Sequence, residues 1–169
     1  MDETPAATHA TTDRRNRTAR RWAFGLLVAL LVQFGIGMYV NLFTHIPLYH
    51  PGHGAGNYLT GTSHSMVWAE TSQYAPFILA THAGLGLLLV ACSLWPAAQA
   101  ARARRSAVTW AGILGALCIL GAGFSGGSLL DYNKEVSSYI MALLFAAAVL
   151  CYGVILALPG GSERRSPAY

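Results

Sequence analysis

The amino-acid sequence predicts an all-α protein: an integral membrane four-helix bundle threaded up-down-up-down through a bilayer. Two observations predict it. Four long apolar runs contain no Asp, Glu, Lys or Arg. All but one of the 11 Lys and Arg residues fall on one side of those runs, whereas most of the histidine falls on the other. Of the 169 residues 54% are hydrophobic and 11% charged, against about 25% charged in an average soluble domain. Such a chain has too little polar surface to cover itself in water, so lipid must solvate it.

A helix rises about 1.5 Å per residue and the hydrocarbon layer is about 30 Å thick, so a span needs about 20 apolar residues. Trp22 to Phe43, Tyr74 to Trp95, Ala107 to Ser125 and Ser137 to Leu158 meet that length. A charge at the centre of a spanning helix costs about 2.5–3.5 kcal/mol on insertion scales, which is why charge-free runs mark spans. The chain divides accordingly into residues 1–21, a cytoplasmic tail expected to be disordered; 22–158, the transmembrane domain; and 159–169, a second cytoplasmic tail. The first tail is rich in Thr, Ala and Arg and has no apolar period.

The first run follows an arginine-rich stretch, as a signal peptide would. It is longer than a cleavable core of about 7–15 residues, and Met38-Tyr39-Val40-Asn41-Leu42-Phe43 lacks a small-x-small cleavage pattern. It is expected to stay as an anchor. Orientation follows from the retention of Lys and Arg on the cytoplasmic side. Arg14, Arg15, Arg17, Arg20 and Arg21 precede the first span, Arg102, Arg104 and Arg105 separate the second from the third, and Arg164 and Arg165 follow the fourth. Only Lys134 lies outside. Both termini therefore belong in the cytoplasm, and the cytoplasmic (inner) membrane of a bacterium is the expected location. Trp22, Trp95 and Trp110 mark the inner interface and Tyr39, Tyr74, Phe77 and Tyr139 the outer one, because amphipathic rings favour headgroup depth.

Small residues at four-residue spacing let helix backbones approach, and Gly112 with Ala116 and Ala142 with Ala146 have that spacing. Gly35, Gly37, Gly84 and Gly86 suit the same role in the first two spans. Cys92, Cys118 and Cys151 lie within apolar runs and show neither redox nor metal-site spacing, so they read as small packing groups. The basic clusters flank spans and lack interleaved aromatics, which excludes nucleic acid as partner.

The first outer connection, Thr44 to Gln73, carries His45, His50, His53 and His64 and the turn-forming run Pro51-Gly52-His53-Gly54-Ala55-Gly56-Asn57-Tyr58. So long a connection is expected to fold over the bundle mouth or to hold a short interfacial helix near Ser65 to Ser72. Imidazole suits Cu and Zn, so the four histidines are candidate ligands of an outward metal site. Asn41, Asn57, Glu70, Asp131 and Glu135 complete a candidate outer polar surface for a ligand or partner. In the second outer connection Lys134 stands between acids and is expected to pair with them.

His82 lies within the second span. Counting about 1.5 Å per residue puts it about 12 Å below Tyr74, and puts Gln33 about 15 Å below Phe43. Polar groups at matched depth in hydrocarbon need partners, so a hydrogen bond between Gln33 and His82 is expected. The alternative is an axial haem ligand or part of a proton or quinone site.

Two resemblances bear on these residues. His82-Ala83-Gly84-Leu85-Gly86-Leu87-Leu88-Leu89 resembles the ligand helix of membrane b-type cytochromes such as the haem A synthase and cytochrome b561 families. That resemblance implies haem b on His82, with Gln33 beside it and His45, Met38 or Met141 as second ligand; those families use paired histidines, and the third and fourth spans have none. Most of the chain between Trp22 and Leu158 is similar to small uncharacterised four-span bacterial membrane proteins. Val40-Asn41-Leu42-Phe43, His50-Pro51-Gly52, Asn57-Tyr58 and Gly126-Gly127-Ser128-Leu129-Leu130-Asp131 carry that likeness, which implies the fold and no activity.

No glycine-rich phosphate loop, nucleophile elbow, HExxH or CxxC is present in the sequence. The expected function is therefore a multi-pass membrane protein of unassigned activity with an extracytoplasmic ligand or partner surface, such as an accessory subunit or homo-oligomer. A haem b redox protein using His82 is the alternative, and a Cu- or Zn-binding loop protein a further one.

Overall fold

The computed structural model describes residues 5–47, 49–102, 106–132 and 135–158. These form five helices and no strand: α1 (Pro5–Phe43), α2 (Tyr58–Thr71), α3 (Phe77–Arg102), α4 (Ser106–Tyr132) and α5 (Glu135–Ala157). Four of them contain stretches long and apolar enough to cross a membrane, Arg17–Phe43, Phe77–Trp95, Ala107–Leu130 and Val136–Ala157. No more than 28% of the residues in any apolar window are buried inside the protein. Large apolar side chains, including Phe24, Val32, Leu88, Leu117 and Leu150, face outward, the pattern expected of helices that lipid would solvate.

Residues 5–21, expected to be disordered, instead continue α1 as helix. Ala and Arg are good helix formers, and a helix already nucleated by its apolar part extends at one hydrogen bond per residue without a second nucleation step. Residues 1–4 and 159–169, Arg104, Arg105, Arg164, Arg165 and Lys134 lie outside the described residues. The Lys134 pairing with acids falls there too.

α1 packs against α3 and α5, and α4 against the same two, so the four long helices form a ring. α2 lies on α3 and α4 at one end. At the other end Arg20 donates to the Leu158 carbonyl at 3.0 Å, where orphan carbonyls end α5. The basic part of α1 and the end of α5 thus share the end opposite α2.

Two clusters make the core. Ala23, Leu26, Leu30, Leu89, Ala111, Ile119, Ala148, Tyr152 and Ile155 fill the ring away from α2, with Cys92 and Cys118 packed beside them as small apolar groups. Val40, Trp68, Ala69, Leu79 and Leu130 form the second cluster, under α2. Between α4 and α5 close approach is made by Gly115 against Tyr152 and Cys151, and by Gly121 against Leu144. Ala142 and Ala146 of the expected small-residue pair are both exposed instead. All seven aromatic residues read as interface markers are exposed.

α2 starts earlier than the Ser65 to Ser72 expectation. Asn57 is its N-cap, extended at φ −119° and ψ 120°, and its side chain accepts from Leu59 N at 3.0 Å. The preceding turn needs glycine at position 52, where φ is +98° and a side chain would strike the Gly61 carbonyl and Ser65.

Candidate functional site

His82 and Gln33 meet where α1 crosses α3, in a reciprocal arrangement. Gln33 and Gly37 are four apart on α1, His82 and Gly86 four apart on α3, so each pair shares a helix face. The His82 ring lies against Gly37, where a Cβ would stand 2.7 Å from Cε1. A Cβ on Gly86 would stand 3.2 Å from Gln33 Nε2. Each glycine makes the space its neighbour's polar side chain occupies. Of the other two glycines, Gly35 meets nothing within 4 Å, and a Cβ on Gly84 would stand 3.3 Å from a Glu70 carboxylate oxygen.

The two polar side chains pair in a way that sequence did not reveal. Gln33 Nε2 donates to the backbone carbonyl of His82 at 2.7 Å, not to its ring. That leaves Gln33 Oε1 and His82 Nδ1 buried without a hydrogen-bond partner. Such groups are uncommon in folded proteins, since each carries its desolvation penalty of about 1–3 kcal/mol.

Both residues line a cavity of about 570 Å³ between the two core clusters, walled by all five helices. Leu30, Leu89, Ile119 and Ala148 of the first cluster form its floor. Val40, Leu79 and Leu130 of the second line it nearer α2. Phe34 and Phe145, stacked at 4.7 Å between centroids, wall the α1–α5 side. Its polar lining at the α2 end comes from Asn41, Thr44, His45, Thr62 and Ser138, with the Ser138 hydroxyl donating to Asn41 Oδ1 at 3.3 Å. Among the described residues no Asp, Glu, Lys or Arg lines it. The volume lies within the range of about 300–1,000 Å³ common for small-molecule sites, and the mostly apolar lining with a few polar groups matches their chemistry.

The sequence-predicted haem-site residues His82, Gln33, His45, Met38 and Met141 all line this one cavity. The predicted metal ligands are less united. The His50 and His53 rings are 5.6 Å apart between centroids, edge to face. His50 stacks on Trp68 at 4.5 Å, its Nε2 faces the Leu130 carbonyl at 3.0 Å and its Nδ1 that of Pro51 at 3.1 Å. A neutral imidazole donates through one nitrogen only, and donation from Nε2 to the Leu130 carbonyl ties the loop to the end of α4. His53 Nδ1 is buried without a partner, while His64 is exposed on α2 and His45 is exposed after α1. Among the described residues no three His, Cys, Asp or Glu side chains gather as a metal site would need.

Of the outer polar surface, Asn41 turns to the cavity mouth, Asn57 caps α2, and Glu70 lies over Gly84 of α3. The side chains of Asp131 and Glu135, at the facing ends of α4 and α5, are outside the described set. Tyr58, which donates to the Phe124 carbonyl, and Thr62, which packs on Gly127, were missed as anchors of α2. The aromatic residue right after a capping Asn was the available signal for Tyr58. No protein-family model, curated protein or solved structure matches the chain.

Proposed function

We propose that this chain is a multi-pass protein of the bacterial cytoplasmic membrane, threaded up-down-up-down with both termini in the cytoplasm. Its role is to hold a lipid-soluble small molecule in the half of the membrane nearer the extracytoplasmic face. The observation that carries this reading is the cavity of about 570 Å³ among five helices, apolar for most of its wall and, among the described residues, lined by no charged side chain. The positive-inside rule supports the orientation, because Arg17, Arg20 and Arg21 sit at the end of α1 away from α2. Binding is favoured over catalysis, since among the described residues the cavity wall carries no carboxylate, lysine or cysteine to act beside its histidines.

The test is to purify the protein from its own membranes in mild detergent, extract it with organic solvent and weigh what is released. About one equivalent of a lipophilic molecule is expected from the native protein, and a loss of it from Ala122→Phe and Ala142→Phe, which fill the cavity. No retained molecule, or equal retention in the filled variants, would overturn the reading.

A second reading rests on a separate observation. His82, Met38, His45 and Met141, the residue types that ligate haem iron, line the same cavity. A haem b there would be held by His82 and would supply one-electron chemistry. A Soret band in the purified protein that is lost in His82→Ala would support it, and colourless protein with no spectral change on adding haem would remove it.

A further inference from the structure

The distribution of polarity along the cavity identifies the class of molecule it takes. Along α1 the lining runs from Leu30 to Asn41, about 16 Å of helix. Its polar groups cluster at one end, on Asn41, His45 and Ser138, while Leu30, Ile119 and Ala148 close the other. Midway, Gln33 gives one amide N–H to the His82 carbonyl, and Gln33 Oε1 and His82 Nδ1 are buried. A second polar group on the occupant would find fewer partners there than at the mouth. A charged head would leave an ion unpaired among apolar walls, because among the described residues no Lys, Arg, Asp or Glu faces it. A volume of about 570 Å³ is enough for one chain of that length.

We infer that the cavity binds an uncharged amphiphile with a single long apolar chain, of the long-chain alcohol or monoacylglycerol class. Its head rests among Asn41, His45 and Ser138 and its tail points to the middle of the bundle. This rests on the reading that the cavity is a ligand site. The amide and hydroxyls at the mouth offer both donors and acceptors to a hydroxyl head. Apolar contact along the tail supplies the affinity, and the mouth supplies the direction.

The experiment uses full-length protein in detergent, exchanged extensively to strip bound lipid, with binding read by native mass spectrometry. The probes are monopalmitoylglycerol, palmitate in alkaline buffer where the acid is ionised, and dipalmitoyl phosphatidylglycerol. Monopalmitoylglycerol is expected to bind one per chain and at least about tenfold better than either other probe, a difference of about 1.4 kcal/mol. Asn41→Leu combined with Ser138→Ala should erase most of that preference while leaving a bound chain, and the variant's unfolding curve checks that it remains folded. Preference for palmitate or the phospholipid, or an unchanged preference in the double variant, would overturn the inference while leaving the site. If no probe binds and Ala122→Phe behaves as the native protein does, the site itself falls.

Discussion

Replacing Gly37 with alanine tests the α1–α3 contact directly. The added Cβ would lie 2.7 Å from His82 Cε1, 3.3 Å from Nδ1 and 3.4 Å from Nε2. Carbon atoms in contact prefer about 3.5–4.0 Å, so the ring must retreat by about 1 Å or the two helices must part. Overpacking of this kind costs about 1–3 kcal/mol. Gly35, two residues away on the same helix, meets nothing within 4 Å. There alanine should gain the usual helix advantage of about 0.5–1 kcal/mol over glycine. The gap between the two variants, about 1–3 kcal/mol, isolates the clash, since both share the propensity gain. The assay is reversible unfolding in mixed micelles, read by circular dichroism. Adding His82→Ala to Gly37→Ala removes the struck ring and should close most of the gap, whereas adding it to Gly35→Ala should not improve stability. Equal stability of Gly35→Ala and Gly37→Ala, or no relief from His82→Ala, would refute the reciprocal packing.

Gln33→Met should cost less than about 1 kcal/mol, because losing one hydrogen bond, about 0.5–1.5 kcal/mol, is offset by removing the unpartnered Oε1; a loss well above that in the same unfolding assay would mean Oε1 has a partner in the membrane. His50→Ala should loosen the α2 end by about 1–3 kcal/mol, the sum of a hydrogen bond and a ring stack, seen as faster hydrogen exchange over residues 50–58 and no change in metal content. Protection unchanged there would contradict the clamp. Gly52→Ala should destabilise more than Gly54→Ala: both have positive φ, costing about 1 kcal/mol for a side chain, yet only position 52 strikes the Gly61 carbonyl and Ser65. Equal melting of those two variants would remove the argument for close packing at that turn.

The spans were legible because one physical term dominates them. A charge in hydrocarbon is so unfavourable that Trp22 to Phe43 and its three counterparts stand out without any knowledge of packing. Where weaker terms compete, the reading strayed. Residues 5–21 carry no apolar period, so nothing in them announces helix, yet they extend one nucleated by their neighbours. α2 contains Gly61, several Ser and Thr and no clear apolar stripe, so its first half is visible only through the Asn57 cap. Matched depth brought Gln33 and His82 together correctly, but depth does not distinguish a ring nitrogen from a backbone oxygen. The cavity could not be read at all. It arises from where two core clusters fail to meet, and that depends on helix positions that no local pattern encodes.

The account depends most on lipid surrounding the four long helices, with the α2 end outside the cell. Thiol labelling in intact cells measures this directly, with Cys92, Cys118 and Cys151 replaced by alanine and a single cysteine placed at exposed Ser63 of α2 or exposed Ala98 near the end of α3. A membrane-impermeant maleimide should label Ser63→Cys in intact cells and Ala98→Cys only after the membrane is breached. Labelling of Ala98→Cys alone in intact cells, or recovery of the unlabelled protein as a stable monomer without detergent, would contradict it.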